Sequence, residues 1–462
     1  MNKKGILTTH QRSTHTYVIG QPGTGKSRAL ESWIMQDISA GRGVCVIDPH
    51  GDLYRNLTYR VAQNTRLWGR VILVDPMDKT WTVGINPLEA IRGQNMERVS
   101  LFMIDIMVKV WGLQSSSTPR LLWLLTNTFL ALSELNLTLL DLPEFLLNKE
   151  FRTALLPKLK NPEVKRYFTY EFPHSKAGIH QWVTPALNKI GGFLFDPDIR
   201  PLLSSKKTLD FREIMDKKKI LLVNLSKGLL GEGSSALLGA FIVARLQKAA
   251  LSRADAVKRT PFYLYLDEFQ NYTTDNIIDI LAESRKYNLS MTLAHQYLDQ
   301  LTSSISNAVL NTAGTISVFR VGHKDANRLA KEIFPSSQFR QKNKNSIQVK
   351  QVGTWPKFVV EKKPNSSGWE HSVSELSHLR MKEFWTKKRG NTIPTKHRSF
   401  NMPDIKMTAE IIRKRKDLVV YSGNKYGQLK KNSRSPYGTR LDQNSPNINQ
   451  SRKSTGPPFW EN

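Results

Sequence analysis

Short apolar runs alternate with amphipathic segments over the first ninety residues. β-Branched and other apolar residues are concentrated at residues 16–19, 44–47 and 70–74, and segments with helical spacing lie between these runs. Strands that are apolar along their whole length and are linked by helices are typical of a parallel sheet covered on both faces. The pattern therefore predicts an α/β fold for residues 1–90.

The hydrophobic spacing becomes helical from residue 91. Leucines recur with the period of a helix, as at Leu121 and Leu125, and prolines divide the stretch into short helices. A length of about 125 residues is far more than one crossover connection requires, so we predict that residues 91–216 form an all-α insertion. Its longest apolar run, residues 121–132, is interrupted by polar residues and is shorter than the roughly 20 residues of a bilayer span. No transmembrane helix is predicted.

The strand pattern returns at residue 217. Further apolar runs occupy residues 219–225, 262–266, 290–293 and 315–319. Residues 384–388 and 397–400 flank Gly390 and are predicted to form an antiparallel pair at the edge of the sheet. Residues 217–405 are therefore predicted to complete the core that residues 1–90 begin, with a mostly parallel sheet.

The last part of the chain is basic and poor in aliphatic residues. The whole chain has a net charge of +29, and residues 340–462 contribute +17 of it, from 26 Lys and Arg against 9 Asp and Glu. Asn, Ser, Pro and Gly dominate beyond residue 425, a composition that favours disorder. We predict a basic, largely disordered tail over residues 406–462. The excess positive charge favours a polyanionic partner, either nucleic acid or an anionic membrane surface.

A glycine-rich sequence directly follows the first predicted strand. Residues 20–27 read Gly-Gln-Pro-Gly-Thr-Gly-Lys-Ser. Glycines with this spacing let backbone N–H groups turn inward around a phosphate, while Lys26 reaches the β- and γ-phosphates and Ser27 holds Mg²⁺. The predicted nucleotide-binding residues are Gly20, Gly23, Thr24, Gly25, Lys26 and Ser27. The sequence therefore predicts a nucleoside triphosphate site with Mg²⁺.

Polar side chains follow two later strands of the predicted sheet. Asp267 and Glu268 come directly after the apolar run 262–266, and Gln296 follows the run 290–293. Because the carboxyl ends of parallel strands meet at one edge of a sheet, we expect these side chains beside the glycine-rich loop. There Asp267 would hold Mg²⁺ and Glu268 would polarise the attacking water. Gln296 would sense the γ-phosphate or orient the water.

Several segments together resemble one protein family. They read Val-Ile-Gly-Gln-Pro-Gly-Thr-Gly-Lys-Ser at residues 18–27, Val-Ile-Asp-Pro-His-Gly-Asp-Leu at 46–53, Tyr-Leu-Asp-Glu-Phe at 265–269, Glu-Ser-Arg-Lys-Tyr-Asn at 283–288 and Ala-His-Gln at 294–296. The chain resembles conjugative coupling proteins, the TraG/TraD-type ATPases of type IV secretion systems within the HerA–FtsK group of DNA-pumping motors. The resemblance covers residues 14–90 and 218–335. It implies a RecA-like P-loop NTPase core in which the helical insertion takes the place of the family's all-α domain.

The resemblance also implies an activity and partners. It implies an ATPase that moves DNA for conjugative transfer, as a homo-oligomeric ring, with six subunits expected and ATP at the subunit interfaces. A relaxase–DNA complex and type IV secretion channel components are the implied partners. Arg285 matches the family's trans-acting arginine, which neutralises charge on the γ-phosphate of the neighbouring subunit, and Arg320 is the competing candidate.

Two other functions and one location follow from the same residues. The chain could be a soluble HerA/FtsK-like DNA motor in repair, segregation or defence, or a nucleotide-gated nucleic-acid adaptor that moves nothing. Glu268 argues against the adaptor, because a switch needs no hydrolytic base. Most similar coupling proteins begin with transmembrane helices, whereas 19 residues precede Gly20. We therefore expect a cytoplasmic protein that reaches the inner face of the plasma membrane through partners.

Overall fold

The computed structural model describes most of the chain. The described segments are residues 13–89, 96–113, 117–205, 208–272, 277–334, 348–352, 355–359, 368–391, 393–399 and 402–430. All structural statements below concern these segments.

A nine-stranded sheet forms the centre of the protein. The described strands are, in chain order, β1 (Thr16–Ile19), β2 (Gly43–Asp48), β3 (Val71–Val74), β4 (Trp81–Thr82), β5 (Ile220–Asn224), β6 (Phe262–Leu266), β7 (Leu289–His295), β8 (Thr315–Val318), β9 (Gln348–Val352), β10 (Trp355–Val359), β11 (Glu383–Lys388), β12 (Thr395–Arg398) and β13 (Gln428–Leu429). The order across the sheet is β12-β11-β8-β1-β7-β6-β2-β5-β3. The seven strands from β8 to β3 are parallel, and β11 and β12 are antiparallel additions at one edge. This confirms the predicted α/β fold, its mostly parallel sheet and its antiparallel edge pair.

Helices cover both faces of the sheet. The described α-helices are α1 (Lys26–Ser39), α2 (Asp52–Ala62), α3 (Met96–Val110), α4 (Pro119–Glu134), α5 (Leu142–Leu147), α6 (Lys149–Leu155), α7 (Pro162–Arg166), α8 (Lys176–Leu194), α9 (Arg200–Ser204), α10 (Phe211–Asp216), α11 (Lys227–Leu230), α12 (Glu232–Ser252), α13 (Ile277–Glu283), α14 (Ser303–Thr312), α15 (His323–Ile333), α16 (Gly368–Ser377) and α17 (Ala409–Tyr426). Helices α1, α2 and α17 share one hydrophobic core with alternate strand residues such as Val18 and Val46. The opposite alternation, including Tyr17 and Cys45, packs in a second core with α12 and the helices between β4 and β5. Every strand of the parallel part is therefore buried on both faces, which explains its unbroken apolar sequence.

The described residues between β4 and β5 contain helices and no strand. Helices α3 to α10 occupy this stretch, and the strands of the large sheet that precede and follow it in the chain, β3 and β5, are neighbours in that sheet. Its interior is aromatic: the rings of Tyr167, Phe168 and Phe172 are buried and pack edge-on or tilted against one another. This helical stretch therefore contributes its own packed interior to the core beneath the sheet.

One helical segment has the length and hydropathy of a membrane span. In the described part of the chain, only Glu232–Asp255 meets both criteria, and 78% of its most apolar window is buried inside the protein. Such burial is typical of a core helix, and α12 packs against α3 and α10 within the larger core.

The segment after β12 corrects the sequence interpretation of the tail. Residues 406–462 were predicted to be largely disordered, which is wrong for residues 409–429, where α17 is followed by the short strand β13. Helix α17 covers the edge strand β3, and the Ser422 Oγ accepts a 3.0 Å hydrogen bond from the Leu73 N–H. Its basic cluster also packs, with the Arg415 guanidinium 5.1 Å from the centre of the Tyr59 ring. Residues 431–462 lie outside the described segments.

The amino-acid composition did not indicate α17 because the helix contacts the core mainly through small residues. Leu418 is the one buried aliphatic side chain of α17, and Ser422 and Gly423 bring its backbone close to the core. A Cβ added at Gly423 would lie 2.3 Å from the Trp81 ring. A polar helix can therefore dock without the apolar stripe that sequence analysis looks for.

We expect Gly423→Ala to destabilise the protein by about 1–3 kcal/mol, because the added methyl group overlaps the Trp81 indole. The free energy of unfolding from denaturant titration measures the effect. Gly192→Ala in α8 is the matched control, since its Cβ meets no atom within 4 Å and alanine favours a helix. Equal stabilities of the Gly423→Ala variant and the parent would show that α17 does not dock on Trp81.

Candidate nucleotide-binding site

The strand order brings the predicted site residues to one edge of the sheet. Strand β1, which precedes the glycine-rich loop, lies between β8 and β7, and β6 is the next strand beyond β7. The strands are parallel, so the residues that follow them all emerge at the same edge. Arg320, the glycine-rich loop, Gln296 and the Asp267–Glu268 pair therefore lie side by side in that order.

The glycine-rich loop has the backbone of a phosphate-binding turn. Gly23 and Gly25 have φ angles of 74° and 99°, which only glycine adopts without strain. Gly25 is also crowded, because an added Cβ would lie 3.1 Å from the Lys382 side chain. The Lys382 N–H donates a 2.8 Å hydrogen bond to the Thr24 carbonyl. The segment before β11 therefore holds this loop in place from the side opposite β7.

Lys26 lies at the start of α1 with its ammonium group inside the site. Its Nζ donates 2.9 Å hydrogen bonds to the carbonyl oxygens of Gly20 and His295, and lies 3.8 Å from the Glu268 Oε1. Burial lowers the pKa of Lys26, while Glu268 and Asp267 act in the opposite direction. The lysine is therefore positioned between the loop and the carboxylates.

Asp267 is buried beside two other carboxylates. Burial, together with repulsion from Asp48 and Glu268, raises the pKa of Asp267 to about 7, and Lys26 offsets part of the rise. Asp48 ends β2, where its carboxylate accepts 2.9 Å hydrogen bonds from the backbone N–H groups of His50 and Tyr54. A concentration of negative charge in a buried site favours a bound cation.

Glu268 has a strained backbone, and each of its carboxylate oxygens accepts a hydrogen bond. Its φ angle of 46° lies in the left-handed region, which is uncommon for a residue other than glycine. Its Oε1 accepts a 2.9 Å hydrogen bond from Gln296 Nε2, and its Oε2 accepts one of 2.9 Å from Gln270 Nε2. The predicted base and the predicted sensor are therefore in direct contact.

The site offers oxygen ligands that fit Mg²⁺. Ser27 is exposed in the first turn of α1, directly after the loop, and Asp267 follows β6, which lies two strands from β1 in the sheet. Within the described segments no group of three or more His, Cys, Asp or Glu side chains could hold a metal ion. This donor set suits Mg²⁺, which is commonly held by one or two protein oxygens together with phosphates and water.

The two candidate arginines lie at opposite edges of the sheet. Arg285 is exposed in the turn Ser284–Tyr287, just before β7, and so lies at the amino edge. Strand β7 has seven residues and spans about 20 Å, so Arg285 is far from the loop of its own chain. Arg320 is exposed at the carboxyl edge, where its carbonyl oxygen accepts a 2.8 Å hydrogen bond from the Gln21 N–H.

Comparisons with known proteins decide the family. The family model described as "Type IV secretion-system coupling protein DNA-binding domain" matches residues 6–353. The chain belongs to this family. This confirms the resemblance found in the sequence. No curated protein sequence matches the chain.

Solved structures show the same fold as this coupling protein family member. The plasmid coupling protein TrwB in complex with the GTP analogue GDPNP is similar with a TM-score of 0.58 at 15% identity, over 85% of this chain and 86% of that chain. TrwB with ADP and Mg²⁺ gives a TM-score of 0.55 at 15% identity, over 87% and 88% of the two chains. VirB4 of Thermoanaerobacter pseudethanolicus gives 0.53 at 12% identity, over 84% and 90%. At these identities the likeness concerns the fold.

Sequence reasoning missed four residues of the coupling protein's site. Asp48 was quoted within a family motif but given no role, although a carboxylate at the end of a predicted strand was a usable signal. Gln270 and Lys382 gave no signal, because their contacts with Glu268 and Thr24 join segments by tertiary structure. His295 is completely buried, and its Nε2 lies 2.6 Å from the Tyr17 hydroxyl. Burial lowers the pKa of His295 to about 3, so it is a neutral support beneath Lys26.

We expect the affinity for Mg²⁺–ADP to rise with pH through the pKa of Asp267. Below about pH 7 the carboxyl is protonated, and Mg²⁺ must displace that proton, so affinity should increase up to about tenfold per pH unit and level off above pH 7. Calorimetry between about pH 6 and pH 8 measures this dependence. Asp267→Asn should bind more weakly and lose the pH dependence. A parent affinity that is constant over this range would contradict the assignment.

Proposed function

We propose that this chain is an ATPase that couples hydrolysis to the movement of DNA during conjugative transfer through a type IV secretion system. The observation that carries the proposal is the convergence of Lys26 and Glu268, whose Nζ and Oε1 atoms are 3.8 Å apart although they come from distant segments. A lysine in a phosphate loop facing a carboxylate suits triphosphate hydrolysis. Membership of the coupling protein family supports DNA as the partner to which this hydrolysis is coupled.

Each residue of the site has a role in the proposed reaction. Lys26 and the backbone of residues 20–27 bind the phosphates, while Ser27 and Asp267 hold Mg²⁺. A Mg²⁺ ion held there would supply positive charge against the charge that develops on the phosphates. Glu268 takes the proton of the attacking water. Gln296 contacts Glu268 by a hydrogen bond and so couples the binding of the nucleotide to this base. The ATP and Mg²⁺ requirement is supported by TrwB structures with ADP and Mg²⁺ and with an ATP analogue.

Nucleotide binding is expected to release Lys26 from the two carbonyl groups that it contacts, and this release would affect the other residues of the site. Its Nζ donates to two backbone carbonyls, both of which compete with a phosphate for the same protons. A triphosphate in the loop would draw the ammonium towards itself and away from Glu268. Binding would therefore change the electrostatic surroundings of the base before any reaction begins.

The DNA partner is supported by charge as well as by family. A net charge of +29 on 462 residues favours binding to a phosphate backbone. By analogy with coupling proteins, the proposed assembly is a homo-oligomeric ring, expected to be a hexamer, that receives a relaxase–DNA complex and docks on type IV secretion channel components. The proposed location is the cytoplasm, at the inner face of the plasma membrane through those partners.

Arg285 is the proposed trans-acting arginine. Its place at the amino edge of the sheet, about 20 Å from the loop of its own chain, leaves it to act on a neighbouring subunit. Arg320 lies beside the loop of its own chain, so its reach favours a role in cis. In a ring the interface is heterologous, and one face of each subunit meets the opposite face of the next.

The rate of ATP turnover with and without DNA tests this function. We expect DNA to stimulate the assembled protein several-fold, because a motor hydrolyses ATP productively only on its track. Turnover that DNA leaves unchanged in an assembled ring would contradict a translocase and favour the nucleotide-gated adaptor.

A further inference from the structure

Glu268 is held by two glutamine side chains from different parts of the chain. Gln296 Nε2 donates to one carboxylate oxygen and Gln270 Nε2 donates to the other, both at 2.9 Å. Only Gln296 belongs to a segment that the family resemblance singled out. Gln270 therefore has a contact with the proposed base that no assigned role explains.

The two glutamines are attached to the protein in different ways. Gln270 lies two residues after Glu268, within the turn Phe269–Asn271. That turn is closed by Asn271, whose Nδ2 donates to the Glu268 carbonyl at 2.8 Å, and Lys227 Nζ donates to the Asn271 Oδ1 at 2.8 Å. Gln270 is therefore carried on the same hydrogen-bonded turn as the carboxylate that it contacts.

Gln296 reaches Glu268 from a separate strand. It follows β7, which lies between the phosphate-loop strand and β6, and its backbone N–H donates to Gln300 Oε1 at 3.0 Å. A side chain placed between the loop and the base can turn towards either. Its bond to Glu268 is the one that a bound nucleotide can replace, whereas the bond from Gln270 lies within one turn of the chain.

The strained backbone of Glu268 makes this support necessary. A left-handed conformation at a non-glycine residue is strained, and it persists only where surrounding contacts fix it. General-base catalysis depends on the direction of the carboxylate towards the water. Without the hydrogen bond from Gln270, the direction of the Glu268 carboxylate would depend on Gln296. Gln296 is the side chain that a bound nucleotide can also contact.

We propose that Gln270 is a positioning residue that keeps the Glu268 carboxylate aimed throughout the catalytic cycle, while Gln296 exchanges its bond to Glu268 for the nucleotide. The inference rests on the proposed function, since it takes Glu268 as the base. It divides the two amides into a permanent support and an exchangeable contact. Gln270 acts through Glu268 and touches no substrate.

Steady-state kinetics of two substitutions at Gln270 test this division. Gln270→Leu removes the donor, and Gln270→Glu keeps the shape but places a second carboxylate against Glu268. We expect Gln270→Leu to lower kcat about tenfold with KM for ATP within about twofold, and Gln270→Glu to lower kcat further. Gln63→Leu, at an exposed position directly after the end of α2, is the matched control and should behave as the parent.

The response to DNA separates the two glutamines. Gln270→Leu should lower the basal and the DNA-stimulated rates by the same factor, because the support acts in every cycle. Gln296→Leu should reduce the ratio of the two rates. A kcat of Gln270→Leu within twofold of the parent, or a loss confined to KM, would overturn the inference. An unchanged Mg²⁺–ADP affinity and melting temperature establish that the variants are folded.

The same measurements distinguish this inference from the proposed function. If Glu268→Gln turns over ATP at the parent rate, the base itself is misassigned and the proposed mechanism fails together with the role of Gln270. If Glu268→Gln is inactive while both Gln270 variants match the parent, only the positioning role fails.

Discussion

Glu268→Gln is expected to lower ATP turnover by about 100-fold or more while the affinity for Mg²⁺–ATP stays close to that of the parent. The substitution keeps the size of the side chain and one acceptor oxygen, but an amide cannot take a proton from water. The residues proposed to bind the nucleotide, which are Lys26, the loop and Asp267, are left unchanged. Single-turnover hydrolysis and equilibrium binding of a fluorescent nucleotide measure the two effects separately.

The control for this prediction is a substitution that weakens binding instead. Lys26→Ala removes the ammonium group from the site and should raise the dissociation constant for the nucleotide as well as abolish turnover. Glu268→Gln protein that hydrolyses ATP at more than a tenth of the parent rate would show that another group activates the water, and the proposed mechanism would have to be abandoned.

Arg285→Ala is expected to abolish ATP turnover, and mixing this variant with the inactive Glu268→Gln variant is expected to restore part of the activity. A trans-acting arginine contributes about 10³-fold or more to phosphoryl transfer. Because Arg285 lies at the edge of the sheet opposite its own loop, its loss should damage only the neighbour's site. A mixed ring of Arg285→Ala and Glu268→Gln subunits contains some interfaces with an intact Glu268 on one side and an intact Arg285 on the other. Random mixing of equal amounts should restore about a quarter of the parent rate, since each subunit contributes a different face to the interface.

Arg320→Ala provides the comparison. Its position beside its own loop predicts that mixing Arg320→Ala with Glu268→Gln restores nothing, because the damaged arginine and the intact base belong to the same subunit. If mixing with Glu268→Gln restored activity to Arg320→Ala but not to Arg285→Ala, Arg320 would be the trans-acting arginine and Arg285 would not. ATPase rates across a titration of the mixing ratio supply the measurement.

The fold was largely readable because its elements carry local signals. Strands such as β5 and β6 are buried on both faces and are almost entirely apolar. The glycines of residues 20–27 have a spacing that is typical of phosphate-binding loops. Helix α17 was missed, since it buries Leu418 and otherwise meets the core through small and polar residues. A composition average over residues 406–462 cannot register a helix whose contacts with the core come from single residues such as Leu418, Ser422 and Gly423.

The sequence by itself determined the chemistry: a loop of glycines ending in Lys26 and Ser27, and carboxylates at the end of an apolar strand, because these depend on residue type and spacing along a short stretch. Only the tertiary structure decided which residues meet. The order of the strands places Gln296 between the loop and Glu268, Asp48 against Asp267 and the segment before β11 against the loop. Contacts of this kind join segments distant in the chain, and no local periodicity specifies them.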